Sequence, residues 1–186
     1  MSSAVPRPRI TPGGRRDVGL FTWAFSHGAG RVQGTGPPNL FLTLGRQRRL
    51  FRGWLRFAAR LMPRGTLPRR ETELVILRVA HLRGCTYEWE HHRHLAKRAG
   101  VTSADLVWIE AGPDAAGWSE RERALLAAVD ALHADGDLDD ERWADLSGHL
   151  DERGMIELVL LVGHYEMLAT AIATLRIEPD RRRGRG

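Results

Sequence analysis

The chain has 186 residues, 42% hydrophobic and 27% charged, the balance of a globular protein large enough to bury a core. A single cysteine, Cys85, excludes an intrachain disulfide framework and any CxxC pair. The net charge of +5 is uneven: residues 1–70 hold fourteen arginines against one acid, Asp17, whereas residues 71–180 hold 22 acids against 10 bases. In chain order, residues 1–38 are rich in Gly, Pro and Arg and read as an irregular basic arm, in which Leu20, Phe21, Trp23 and Phe25 are apolar enough to enter a groove. From Asn39 the apolar residues recur at threes and fours (Leu40, Phe41, Leu44, then Leu50, Phe51, Trp54, Leu55, Ala58, Leu61), which predicts helix until Pro63 and Gly65. Pro68 suits the first turn of a helix over 68–83, apolar on most sides and so expected in the core.

Gly84 breaks that helix, and another spans 86–99 and ends at Gly100, a left-handed cap. Thr102-x-x-Asp105 and Ser119-x-x-Glu122 read as capping boxes that open helices at 103–111 and 120–135. Asp139 or Asp140 starts a further helix with Trp143, Leu146 and Leu150 on one face. The last, 153–175, is apolar nearly all round and requires burial by its own domain or a second subunit. No alternating segment reads as a strand, so the fold class is all-α. Residues 179–186 read as a disordered Arg-rich tail.

Several partners are disfavoured on this pattern. No apolar run reaches the roughly 18 residues of a membrane span, and the opening MSSAVPRPRITPGG lacks a secretory h-region. No membrane partner and a cytoplasmic location are therefore the expectation. Nucleic acid is disfavoured, because no groove-reading or base-stacking motif accompanies the basic third. The arm is expected to pack on an acidic body, in the same subunit or a neighbour.

The segment that carries chemistry runs from Glu73 to His92. Cys85, Glu88 and His92 stand at i, i+3 and i+7, on one face of a helix. Cys85 falls at the helix start, where the dipole is expected to lower a thiol pKa. Glu88 and His92 are close enough to share a proton. Glu73, among Leu74, Val75, Ile76 and Leu77, needs a buried partner such as Arg78 or Arg93, or has a raised pKa. Tyr87, Trp89, His164 and Tyr165 are the candidate substrate-binding residues. His91, His92 and His94 point to different helix faces and no third ligand is placed, so no metal site is expected, nor any cofactor.

These residues resemble the carboxymuconolactone decarboxylase / alkyl hydroperoxidase D (AhpD) superfamily. The resemblance covers residues 39–178 and rests on ELVILRVA, the YEWEHH stretch from Tyr87 to His92, the Gly100 turn and GHYEML from Gly163. It implies an AhpD-like bundle, here about six to eight helices, in an obligate homo-oligomer (trimer, hexamer or dimer) acting on a small-molecule substrate. The hydroperoxidase branch has a glutamate, about a dozen residues on a CxxC pair, and then a histidine; Glu73, Cys85 and His92 match, and the chain resembles the YEWxxH branch that lacks the pair. Glu88 stands where the attacking cysteine would be, and a carboxylate cannot reduce a peroxide.

Three functions follow from this reading. The first is a small-molecule enzyme with a Glu/His acid–base relay, performing decarboxylation, isomerisation or hydrolysis of a small acid or lactone. The second is a peroxidase that uses Cys85 alone with an external thiol. The third is a non-catalytic oligomeric binding protein, in which Cys85 is merely a small buried residue and Glu88–His92 a structural ion pair.

Overall fold

The computed structural model describes residues 7–62 and 64–180. Their regular structure is entirely helical: α1 Arg15–Gln33, α2 Asn39–Leu44, α3 Arg48–Leu61, α4 Arg69–Leu82, α5 Thr86–Arg98, α6 Ser103–Ala111, α7 Glu120–Asp135, α8 Asp140–Ser147 and α9 Glu152–Leu175. The all-α expectation holds, and nine helices among the described residues exceed the six to eight expected.

The chain divides into two compact units, one of residues up to Ala58 with those from Thr170 onward, the other of Ala59–Ala169. This division differs from the expected boundaries at 38/39 and 178/179, and the first unit also corrects the reading of the arm. Residues 15–33 form a helix, not irregular chain, interrupted at Gly19, whose φ of 81° needs a residue without a Cβ. Glycine spacing concealed it: Gly28 and Gly30 lower helix propensity, yet Thr22, Ser26 and Gly30 form a narrow buried stripe that lets α1 approach its surroundings closely. Leu20, Phe21 and Phe25 do not enter a groove but remain exposed, with Phe21 beneath the Arg52 guanidinium. Residues 181–186 of the expected tail lie outside the described residues.

The second unit is organised by α4. Its residues from Glu71 to Ala80 are all buried, because it packs against α5, α6 and α7 at once. One cluster joins Leu74 and Leu77 of α4 to Ala96, Val101, Ile109, Trp118 and Leu126. Leu77 is wholly buried, so Leu77→Ala would remove about 2–5 kcal/mol. Both expected capping boxes form: Thr102 accepts from the Asp105 N–H at 3.2 Å, and Ser119 from the Glu122 N–H at 3.3 Å. Asp139 caps α8 by accepting from the Arg142 N–H at 2.8 Å. Trp143 departs from its expected face and is half exposed, while Leu146 and Leu150 are buried.

The α4–α5 corner positions the chemistry. The chain reverses at Gly84, whose φ of 58° lies in the left-handed region, and the Cys85 N–H returns to the Ala80 carbonyl at 2.8 Å. Such a tight corner sets α5 directly against α4 and brings the early part of one helix beside the other. Residues 73 and 92, nineteen apart in sequence, thereby face each other.

Candidate active site

Glu73 is wholly buried in α4, and Glu88 and His92 on α5 are each 3% exposed. The His92 Nδ1–H donates to Glu73 Oε2 at 2.8 Å. On the other side of the ring, Nε2 lies 3.1 Å from the Tyr165 hydroxyl and 3.4 Å from Glu88 Oε2. Tyr165 is delivered by α9, with its ring perpendicular to the imidazole at a centroid distance of 5.1 Å. Its hydroxyl donates in turn to Met62 Sδ at 3.5 Å. With that proton directed at sulfur, the tyrosine oxygen is free to accept from His92 Nε2–H.

The imidazole is therefore placed as a double donor, and its pKa agrees. Burial alone would depress it, but the hydrogen bonds to Glu73 and then Glu88, with their charges, push it up to about 9. At neutral pH the ring is an imidazolium held between two carboxylates. Its neighbours behave in the opposite way. Burial, and then the His92 charge, lower His91 and His164 to about 4, so both stay neutral. Burial raises Tyr165 well above its usual value, helped by the charges of Glu88 and Glu73.

Arg69 completes the array. One turn before Glu73 on α4, its Nη2 forms an ion pair with Glu73 Oε1. The array thus runs Arg69–Glu73–His92–Glu88, two cations alternating with two carboxylates. Three of its atoms are buried without a hydrogen-bond partner: Arg69 Nη1, a donor, and the acceptors Glu73 Oε1, which keeps only its ion pair with Arg69, and Glu88 Oε1. Buried polar atoms left unmatched cost about 1–3 kcal/mol each, so each calls for an ordered water, a ligand or local strain to account for it.

The structure brings together Glu73, Glu88, His92 and Tyr165, with His164 edge-on to Tyr165 at 5.2 Å. Tyr87 stacks on His91, 6.4 Å between centroids, which lies beside His92 at 5.3 Å. Trp89 is not brought to this array; it packs against the Leu74–Leu77–Trp118 core cluster. The expected partners of Glu73 are also corrected. Arg78 is engaged by Asp130, with hydrogen bonds of 2.7 and 2.6 Å, and Arg93 by Glu90. Arg69 escaped the sequence reading, although its i, i+4 spacing to Glu73 was the available signal.

Cys85 is the last correction. It does stand at the N-terminus of α5, but its thiol pKa is raised, not lowered. Burial pushes it up, the Glu88 and Tyr87 N–H groups only partly offset this, and the Glu88 charge adds to the rise. The helix dipole is outweighed by burial together with a carboxylate in the first turn.

The carboxymuconolactone decarboxylase family model matches residues 48–131, a span that contains Arg69, Glu73, Cys85, Glu88 and His92 and ends before α9. No curated protein matches the chain. Among solved structures, the alkylhydroperoxidase AhpD core of an uncharacterized peroxidase-related protein from Ralstonia eutropha is 17% identical with a TM-score of 0.81, over 95% of this chain and 94% of that one. The debrominase Bmp8 in its apo form is 22% identical with a TM-score of 0.78, over 91% of each chain. A cysteine-to-alanine variant of Bmp8 in complex with 2,3,4-tribromopyrrole is 20% identical with a TM-score of 0.79, over 94% of this chain and 93% of that one. At such identities the likeness is one of fold. The family model thus matches somewhat less than half of the chain, and the solved structures share its fold alone.

Proposed function

We propose that the protein is a small-molecule enzyme that moves protons through the Glu73–His92–Glu88 relay, on a small acid or lactone. One observation carries the reading: a buried imidazolium between two carboxylates, one of which keeps an oxygen without a partner. Glu88 Oε1 is the general base that takes a proton from the substrate. The His92 Nε2–H is the general acid that supplies one, and Glu73 with Arg69 holds the imidazolium in place. In an isomerisation the proton leaves one carbon and returns to another. In a decarboxylation CO2 departs and the electron pair left behind is quenched by the His92 proton.

The test is a panel of carboxylated γ-lactones and β-keto acids in deuterated buffer, with CO2 release and deuterium uptake followed by NMR. Turnover by wild type is expected, with losses of about 10²–10⁴-fold in Glu88→Gln and His92→Asn. Undiminished turnover in Glu88→Gln would sink the reading.

The second reading is a one-cysteine peroxidase, favoured by the fold it shares with the AhpD core. There the Cys85 thiolate would attack the peroxide O–O bond, releasing alcohol and leaving a sulfenic acid that external thiol reduces. The raised thiol pKa ranks it second. Cumene hydroperoxide consumption that is lost in Cys85→Ser would reverse that order. For assembly, the exposed α9 residues Ile156, Val159, Leu160 and Met167 support a homo-oligomer; a monomer in sedimentation at micromolar concentration rejects it.

A further inference from the structure

We propose that Arg69 anchors a negatively charged oxygen of the ligand, which makes the site select carboxylates over their neutral counterparts. The inference rests on the reading of this array as the ligand site, and adds to it the residue that selects.

The argument starts from the donor inventory. A guanidinium has five N–H groups in a rigid fork and no acceptor. Arg69 commits Nη2 to Glu73 Oε1, while Nη1 is buried and makes no hydrogen bond. Its sequence neighbour shows what a purely structural arginine looks like in this protein. Arg70 gives Nε to Glu122 at 2.8 Å, Nη1 to Asp105 at 2.7 Å and to the Gly100 carbonyl at 2.8 Å, and Nη2 to Asp105 at 3.0 Å. All three of its nitrogens are satisfied by the fold. Arg69, one residue earlier on the same helix, leaves one of its own for something the fold does not supply.

The complementary vacancy lies at the other end of the array. Glu88 is 3% exposed, and its Oε1 accepts nothing. One end therefore offers an unused cationic donor and the other an unused anionic acceptor, with the Glu73–His92 pair between them. A ligand with an anionic oxygen and a removable proton answers both. The ester of the same ligand answers only the second. Because the cations and carboxylates of the array balance, a ligand carboxylate meets no excess negative charge.

The experiment measures binding, not turnover, so the two readings fail separately. 5-Oxotetrahydrofuran-2-carboxylate and its methyl ester are titrated calorimetrically into the full-length protein. The acid is expected to bind at least 10-fold more tightly than the ester. In Arg69→Lys a single ammonium retains the ion pair with Glu73 but lacks a second nitrogen, and the preference should collapse to under 3-fold. Retention of the His92 titration near pH 9 by NMR shows that the pair with Glu73 is intact. Arg69→Gln should lose the preference too; if it does not fold, Arg69→Lys and the acid–ester comparison still decide. Equal affinities for acid and ester, no binding of either, or an undiminished preference in Arg69→Lys overturns the proposal. Acid binding that survives in Glu88→Gln while turnover also survives would reject the catalytic reading and leave the Arg69 anchor standing.

Discussion

Arg69 and Arg70 are adjacent on α4 and have opposite fates. Around Arg70, the carboxylates of Asp105 and Glu122 each also serve a capping box, so the cluster ties the starts of α4, α6 and α7 together with its polar atoms in use. Around Arg69, itself 38% exposed, the carboxylates are buried more deeply and the polar atoms are used less completely. The first network maximises satisfaction, which is what stability demands. The second gives up hydrogen bonds at three atoms, which is the stability–function trade-off expected of a site.

Four outcomes would sharpen or break this comparison. The largest concerns activity: Glu88→Gln should lower turnover by about 10²–10⁴-fold with a stability loss of only about 1–2 kcal/mol, since it removes one of the two carboxylate charges that hold His92 protonated. A large stability loss with little effect on rate would make the array structural. Next, Asp105→Ala should cost about 2–4 kcal/mol in urea denaturation, because it strands Arg70 and the Thr102 N–H. Turnover per folded molecule should be unchanged.

The third concerns pH. His92 has a folded pKa of about 9 against 6.5 unfolded, so the folded state binds the extra proton between those values. Its stabilisation, on the order of 3 kcal/mol, is fully present below about pH 6.5 and lost as pH rises through about 9. His91 and His164, at about 4 when folded, act in the reverse sense: the unfolded chain takes up protons first, so stability falls as pH drops from 6.5 toward 4. Urea melts across pH should therefore peak near pH 6.5, and His92→Asn should flatten the alkaline side alone. A peak well above pH 8 would contradict the imidazolium. The smallest effect belongs to Cys85. Iodoacetamide at pH 7 should label it at least about 10-fold more slowly than free cysteine, and Cys85→Ser should leave turnover of the lactone panel unchanged.

Glu73, Glu88 and His92 were legible in the sequence because helical spacing and a carboxylate in an apolar run are local signals. The exposed Phe21 and the helix around it were not: glycines obscure a stripe whose burial depends on what packs against it. Tyr165 was legible only as a polar residue in an apolar helix, since its partner lies 73 positions away. The sign of the Cys85 shift was misjudged because the helix dipole is a local property, whereas desolvation depends on the whole fold.

By itself, then, the sequence determined the all-helical class, the capping boxes, the α4–α5 corner at Gly84 and the pairing of Glu88 with His92 on one helix face. Each of these depends on neighbours within about one or two helical turns. Only the tertiary structure decided which arginine holds Glu73, which hydroxyl faces His92, that the imidazole carries a charge, and which atoms of the array lack a hydrogen bond. Those outcomes depend on burial and on distances between groups far apart in the chain, and residue spacing along one helix carries no information about either.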